Sequence, residues 1–160
     1  MMNPAHVHLL FNHFPVVTSL LGLLLLLWAR LRKSDELNQA ALGVFVLGAV
    51  LAAPAYFSGE PAEERVEDLA GVSKPRIEDH EEAAKAAAVA VGVLGALSAA
   101  GLVLSLRRRR APGALGAAIA VVAIVTAVLM GRAANLGGQI HHPEIREPAA
   151  SAPDAGEGRN

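Results

Sequence analysis

Apolar residues are collected into four long runs along this 160-residue chain, separated by shorter polar segments. The runs cover roughly residues 14–31, 40–57, 83–106 and 115–136. Each is close to the ~20 residues that an α-helix needs to cross the hydrocarbon core of a bilayer. The pattern predicts an all-α fold: a four-helix transmembrane bundle that forms one domain over residues 1–147, followed by a disordered tail at 148–160.

The positively charged residues predict how these helices are oriented. Arg30, Arg32 and Lys33 follow the first run, and four arginines at 107–110 follow the third. Short loops rich in Lys and Arg stay in the cytoplasm. The predicted topology is therefore up-down-up-down in a bacterial inner membrane, with both termini on the periplasmic side.

The longest connection, at residues 58–79, is predicted to lie outside and is strongly acidic. Pro61 suits a first helical turn and Gly71 a helix stop. We therefore expect a short amphipathic helix at about Pro61–Ala70, with Val66 and Leu69 facing the bundle. Ser73 is expected to cap the next helix, and Pro75 to lie in its first turn.

Composition excludes several classes of function. The chain is 53% hydrophobic and 18% charged, with a net charge of −1 and no cysteine. It cannot form disulfides, thiolate metal sites or the covalent attachment of a c-type haem. It has no concentrated basic surface on a soluble domain, so nucleic acid is not an expected partner. It also lacks a His-Glu-x-x-His motif and a glycine-rich phosphate loop, so an enzyme acting alone is not expected.

The predicted topology brings the histidine residues to one side of the membrane. All six histidines fall on the predicted outer side: His6, His8, His13, His80, His141 and His142. His13 opens the first run, His80 precedes the third, and His141 follows the fourth. Arg132 lies near the outer end of the last span, where an arginine needs a partner such as a carboxylate or an anionic ligand group.

Four segments carry a resemblance to a known group of proteins. They are His13-Phe14-Pro15, Gly59-Glu60-Pro61-Ala62-Glu63-Glu64, Ile77-Glu78-Asp79-His80-Glu81-Glu82 and Asn135-Leu136-Gly137-Gly138-Gln139-Ile140. Together they resemble a group of uncharacterised four-helix bacterial inner-membrane proteins, over roughly residues 3–147. The chain is also similar to a broader membrane domain of unknown function, although that domain has an aromatic residue where this chain reads Gln-Ile-His-His-Pro. The resemblance implies the four-helix architecture and a b-type haem.

The leading hypothesis is a protein that binds haem b for electron transfer or haem handling at the periplasmic surface. Facing helices of a four-helix bundle commonly hold haem. His13 and His80 are the first candidate ligands, with His141 as a substitute for either. Arg132 is the candidate to neutralise a haem propionate.

Two alternatives stay open. In the first, a zinc, copper or iron ion without porphyrin is held by histidines and carboxylates of the outer rim, the candidates being His13, His80, His141, Glu60, Glu64 and Glu81. In the second, the protein is a structural accessory subunit of a larger membrane complex. The expected partners are the lipid bilayer, a redox partner or larger complex, and a further copy of the chain.

Overall fold

A computed structural model describes residues 3–107 and 113–145, and this part of the chain is helical without strands. The helices are α1 (Pro4–Phe11), α2 (His13–Arg32), α3 (Asp35–Val66), α4 (Lys74–Leu106) and α5 (Gly113–His141), followed by a short 3₁₀ helix at Pro143–Ile145. Four helical stretches are long and apolar enough to cross a membrane, with α1 and α2 together forming the first. The predicted all-α fold with four membrane-length helices is confirmed. The tail at 148–160 and the arginines at 108–110 lie outside the described residues.

The first membrane-length stretch is interrupted once, at Asn12. Asn12 keeps an α-helical conformation, and its N–H donates to the His8 carbonyl oxygen at 2.9 Å. Three residues later comes Pro15, which has no N–H to give to the Phe11 carbonyl. The helical hydrogen-bond ladder is therefore weakest at this point, and α1 becomes a separate eight-residue helix.

Glycines set how closely the helices approach. Consecutive long helices pack against one another, and α2 also packs against α5. A Cβ atom added at Gly22 would overlap the Phe45 ring, and one added at Gly48 would overlap the Thr18 side chain. The same holds for Gly95 against the Ala49 side chain, between α3 and α4. Small residues at such positions let helix backbones come close where lipid provides no hydrophobic driving force.

The interior is built in two apolar layers. The first is centred on the fully buried side chains of Phe45 and Leu94. The second is made of smaller side chains: Ala52, Ala83, Ala87, Val91, Met130 and Ala133. The second layer adjoins the ends of the helices where the histidines of α1 and α4 lie.

Side-chain hydrogen bonds join the helices at the opposite end, which carries the basic residues. The Arg30 guanidinium donates to the Gly116 carbonyl oxygen at 3.1 Å, which links α2 to α5. The Gln39 amide donates to the Ser105 hydroxyl at 2.9 Å, which links α3 to α4. Lys33, in the left-handed conformation with φ 50°, ends α2, and Ser34 caps α3 by accepting from the Leu37 N–H.

The predicted short helix in the outer connection is not a separate element. Instead α3 continues through Pro54 and Pro61 to Val66, and the connection is only residues 67–73. Each proline removes one backbone donor, but its fixed φ is compatible with a helix. The buried faces of Ala55, Ser58 and Ala62 keep the helix packed across both prolines.

Leu69 consequently lies beyond the helix end and is 55% exposed, not packed on the bundle. The two predictions about the next helix are correct in position. Ser73 is the N-cap residue of α4, although its side chain makes no capping hydrogen bond, and Pro75 lies in the first turn.

Gly22→Ala tests the close approach of α2 and α3. The added methyl group must displace the buried Phe45 ring, so we expect a loss of about 1–3 kcal/mol in the free energy of unfolding, as for other overpacked cores. Gly92→Ala is the matched control, because nothing lies within 4 Å of its added Cβ. There the higher helix propensity of alanine should leave stability unchanged or slightly raised. Thermal unfolding in detergent measures both, and equal melting temperatures for the two variants would contradict the packing account.

Candidate functional site

Two histidines from distant parts of the sequence meet at the end of the bundle opposite Arg30 and Lys33. His8 comes from α1 and His80 from the first turns of α4. Their ring centroids are 6.5 Å apart, and their planes are nearly perpendicular, at 87°. Both side chains are half-buried. We call these two residues the histidine pair.

Each member of the histidine pair is held by a backbone carbonyl group of a neighbouring helix. The Nδ1 atom of His8 lies 2.9 Å from the Ala55 carbonyl oxygen on α3. The Nδ1 atom of His80 lies 2.9 Å from the Ala133 carbonyl oxygen on α5. A carbonyl oxygen can only accept, so in both rings Nδ1 carries the proton and donates. In the neutral ring Nε2 then keeps its lone pair.

A glycine follows each of these carbonyl groups four residues later along the helix. The side chain of a helical residue covers the turn that precedes it, so a glycine leaves that turn open. Gly59 follows Ala55, and a Cβ added there would lie 3.8 Å from the His8 Cε1 atom. Gly137 follows Ala133, and a Cβ there would lie 3.1 Å from the His80 Cε1 atom. The same Ala-x-x-x-Gly arrangement therefore receives a histidine twice.

The surroundings of the histidine pair are apolar on the bundle side. Ala133, which accepts from His80, belongs to the layer of small buried side chains, as does Ala83 on α4. Ile77, one turn before His80, is 5% exposed. One turn after His8 lies Asn12, whose Oδ1 atom is buried without a hydrogen-bond partner among the described residues. The rings thus stand at the edge of an apolar layer.

The site residues that were predicted from the sequence lie in different surroundings in the structure. His80 belongs to the histidine pair, but the ring contact it makes is with His8 and not with His13, whose side chain is exposed. Arg132 is exposed beside Ala133, and Glu60 and Glu64 are exposed on α3. Glu81 forms an ion pair with Lys85 at 2.8 Å. The side chain of His141 lies outside what the structure describes.

The described part of the chain contains no group of three or more His, Cys, Asp or Glu side chains that could hold a metal ion. His142, the neighbour of His141, pairs with the Glu144 carboxylate at 2.8 Å. Within the described ranges the protein thus offers two clustered imidazoles, without a carboxylate as third ligand.

His8 is the residue that sequence reasoning missed. The topology placed it on the outer side together with five other histidines, and nothing in its own neighbourhood distinguished it from His6 or His13. A partial signal was the recurrence of an Ala-x-x-x-Gly spacing near the end of the second helical stretch and near the end of the fourth. The spacing occurs three times in the fourth stretch, and the first stretch begins with three histidines, so the sequence alone does not single out His8.

No family model, curated protein or solved structure matches this chain. The resemblance described from the sequence therefore stays a prediction, and the interpretation of the site depends on its geometry.

The hydrogen bonds of the histidine pair predict an unusual tautomer that can be observed in protein without any cofactor. We expect His8 and His80 to carry their proton on Nδ1, whereas an exposed histidine in water prefers Nε2. Two-dimensional ¹H–¹⁵N spectra of histidine-labelled protein in detergent micelles, at a pH where the rings are neutral, measure this directly. His6 and His13, both exposed, serve as internal controls. A proton on Nε2 of either paired ring would contradict the carbonyl contacts.

Proposed function

We propose that the protein binds one haem b at the outer end of the bundle, with His8 and His80 as the two axial ligands, and carries single electrons there. The observation that carries the proposal is the geometry of the histidine pair. Two imidazoles from different helices lie with their ring centroids 6.5 Å apart, and each donates Nδ1–H to a carbonyl oxygen, which leaves the Nε2 lone pairs for a metal. Haem would supply the one-electron couple.

The separation of the rings fits a single metal between them. Two metal–nitrogen bonds of about 2.0–2.1 Å each would occupy about 4.1 Å of the line joining the rings. The remainder of the 6.5 Å between the centroids matches the two centre-to-nitrogen distances of imidazole rings. The Nδ1–H donation to a carbonyl is also the usual way in which a ligating histidine is oriented and made more basic.

The number of ligands favours haem over a bare ion. Structural zinc uses four protein ligands and catalytic zinc three. The histidine pair is two ligands, and no group of three or more is present in the described residues. A porphyrin provides four nitrogens of its own, so two axial imidazoles complete six-coordinate iron. The small side chains of the second layer, Ala83 and Ala133 among them, provide apolar walls beside the rings.

The proposal keeps His80 and replaces His13 with His8, because His8 is the imidazole that His80 contacts. Arg132 remains the candidate partner for a propionate, since its exposed guanidinium lies one residue from the Ala133 anchor. His141 is not needed as a ligand.

The positive-inside rule supports the proposed location. It assigns the end that carries Arg30, Arg32 and Lys33 to the cytoplasm and the histidine pair to the periplasmic side of a bacterial inner membrane. The helices would run up-down-up-down. Electrons would then be exchanged with a redox partner, or within a larger membrane complex, close to the outer surface.

The first experiment is an absorption spectrum of detergent-purified protein, oxidised and dithionite-reduced, made with adequate haem supply. We expect one haem per chain and the narrow α and β bands of a reduced six-coordinate b-type haem. His8→Ala and His80→Ala should each remove the six-coordinate spectrum. His13→Ala is the matched control and should leave it unchanged.

The other outcomes separate the alternatives. Loss of the spectrum in His13→Ala but not in His8→Ala would restore the ligand pair expected from sequence. A flat visible spectrum with stoichiometric zinc, copper or iron would indicate a non-haem site. A flat spectrum without metal would leave a structural role for the histidine pair.

A structural role is the second candidate, and one observation favours it. The two histidine–carbonyl hydrogen bonds join α1 to α3 and α4 to α5, so they fasten the outer end of the bundle without any cofactor. Each bond would contribute about 0.5–1.5 kcal/mol to stability. In that case His8→Ala lowers the melting temperature equally in protein made with and without haem supply.

A further inference from the structure

The two rings of the histidine pair are oriented independently of each other. His8 is anchored on α3 and His80 on α5, so no single element sets both planes. The result is an angle of 87° between the planes. If both rings ligate one iron through Nε2 and do not turn about their carbonyl hydrogen bonds, each plane contains the axis through the metal, and the angle between the planes becomes a rotation about that axis.

The two anchoring glycines do not have equal room. At Gly137 an added Cβ would lie 3.1 Å from Cε1 and 3.2 Å from Nδ1 of His80, which is tighter than ordinary side-chain packing. At Gly59 the corresponding contact with His8 is 3.8 Å, an ordinary van der Waals distance. The His80 ring is therefore seated directly on the glycine, and a methyl group there would displace the ring by a few tenths of an ångström.

We propose that Gly137 is a positioning residue for the His80 ligand, and that it holds the two axial imidazole planes perpendicular in the haem-bound protein. This inference rests on the proposed function and goes beyond it, because haem could be bound with any angle between the rings. The physical consequence is electronic. Each imidazole donates from a π orbital perpendicular to its own plane, so parallel rings split the two iron orbitals of π symmetry, whereas perpendicular rings leave them nearly degenerate.

Electron paramagnetic resonance of the oxidised, haem-bound protein tests the orientation. Wild-type protein should give the strongly anisotropic low-spin signal of perpendicular imidazoles, with one large g value dominating. Gly137→Ala forces the His80 ring to turn or withdraw from the Ala133 carbonyl. Its largest g value should therefore shift, and weaker Nδ1–H donation should shift the midpoint potential upwards.

Gly131→Ala is the matched control, because it adds the same methyl group to the same helix at a position where nothing lies within 4 Å of the added Cβ. It should leave both the signal and the potential at their wild-type values. Histidine ¹⁵N spectra of cofactor-free Gly137→Ala give a second readout, in which the Nδ1–H···O signature of His80 is lost and that of His8 is retained.

The outcomes distinguish the two proposals. A preparation that binds no haem overturns the proposed function and this inference with it. Bound haem with the rhombic signal of parallel imidazoles overturns the inference alone. A Gly137→Ala variant with unchanged g values, potential and His80 tautomer also overturns it. Should that variant fail to fold, the wild-type signal by itself still decides the ring orientation.

Discussion

The absence of a side chain at glycine is the constraint on which both the bundle and its candidate site depend. In lipid, helices associate only if their backbones pack closely. Gly22 and Gly48 permit this between α2 and α3, and Gly95 permits it between α3 and α4. The same feature has a different effect at Gly137. There the missing side chain uncovers a carbonyl group that is already within a helix, and its second lone pair accepts a proton from an imidazole. The missing side chain of glycine thus permits both the close packing of the helices and the hydrogen bond to an imidazole.

The histidine pair illustrates how a helical protein can orient imidazole side chains without a polar core. A helix has no free backbone donors in its interior, but every carbonyl oxygen keeps an unused lone pair. A histidine that donates Nδ1–H to such an oxygen satisfies its own polar atom at an apolar boundary and directs its basic nitrogen elsewhere. Two such anchors, on α3 and α5, hold two imidazole rings with their centroids 6.5 Å apart.

Most of the fold was predictable from the sequence, but only one residue of the histidine pair was. Four apolar runs near the length of a bilayer leave few choices other than membrane helices, and the structure has four helical stretches long and apolar enough to cross a membrane. The continuation of α3 past Pro54 and Pro61 was not predictable, because local propensity favours a break there and the packing of Ala55, Ser58 and Ala62 overrides it. His80 was predicted from its position at a helix start. Its contact with His8 depends on how α1 packs against α3 and α4 against α5, which local sequence does not encode.

The anchoring arrangement separates two properties that are usually linked. His8 is hydrogen-bonded within one group of helices, α1 and α3, and His80 within another, α4 and α5. The two rings therefore belong to different groups. The tautomer of each ring therefore depends on the packing within its own group, whereas the distance between the rings depends on the interface between the two groups. Sliding of one group past the other would change the spacing while both carbonyl anchors stayed intact. The contact of Gly95 with Ala49, far from the rings, is part of that interface and so helps to set the distance between the two rings.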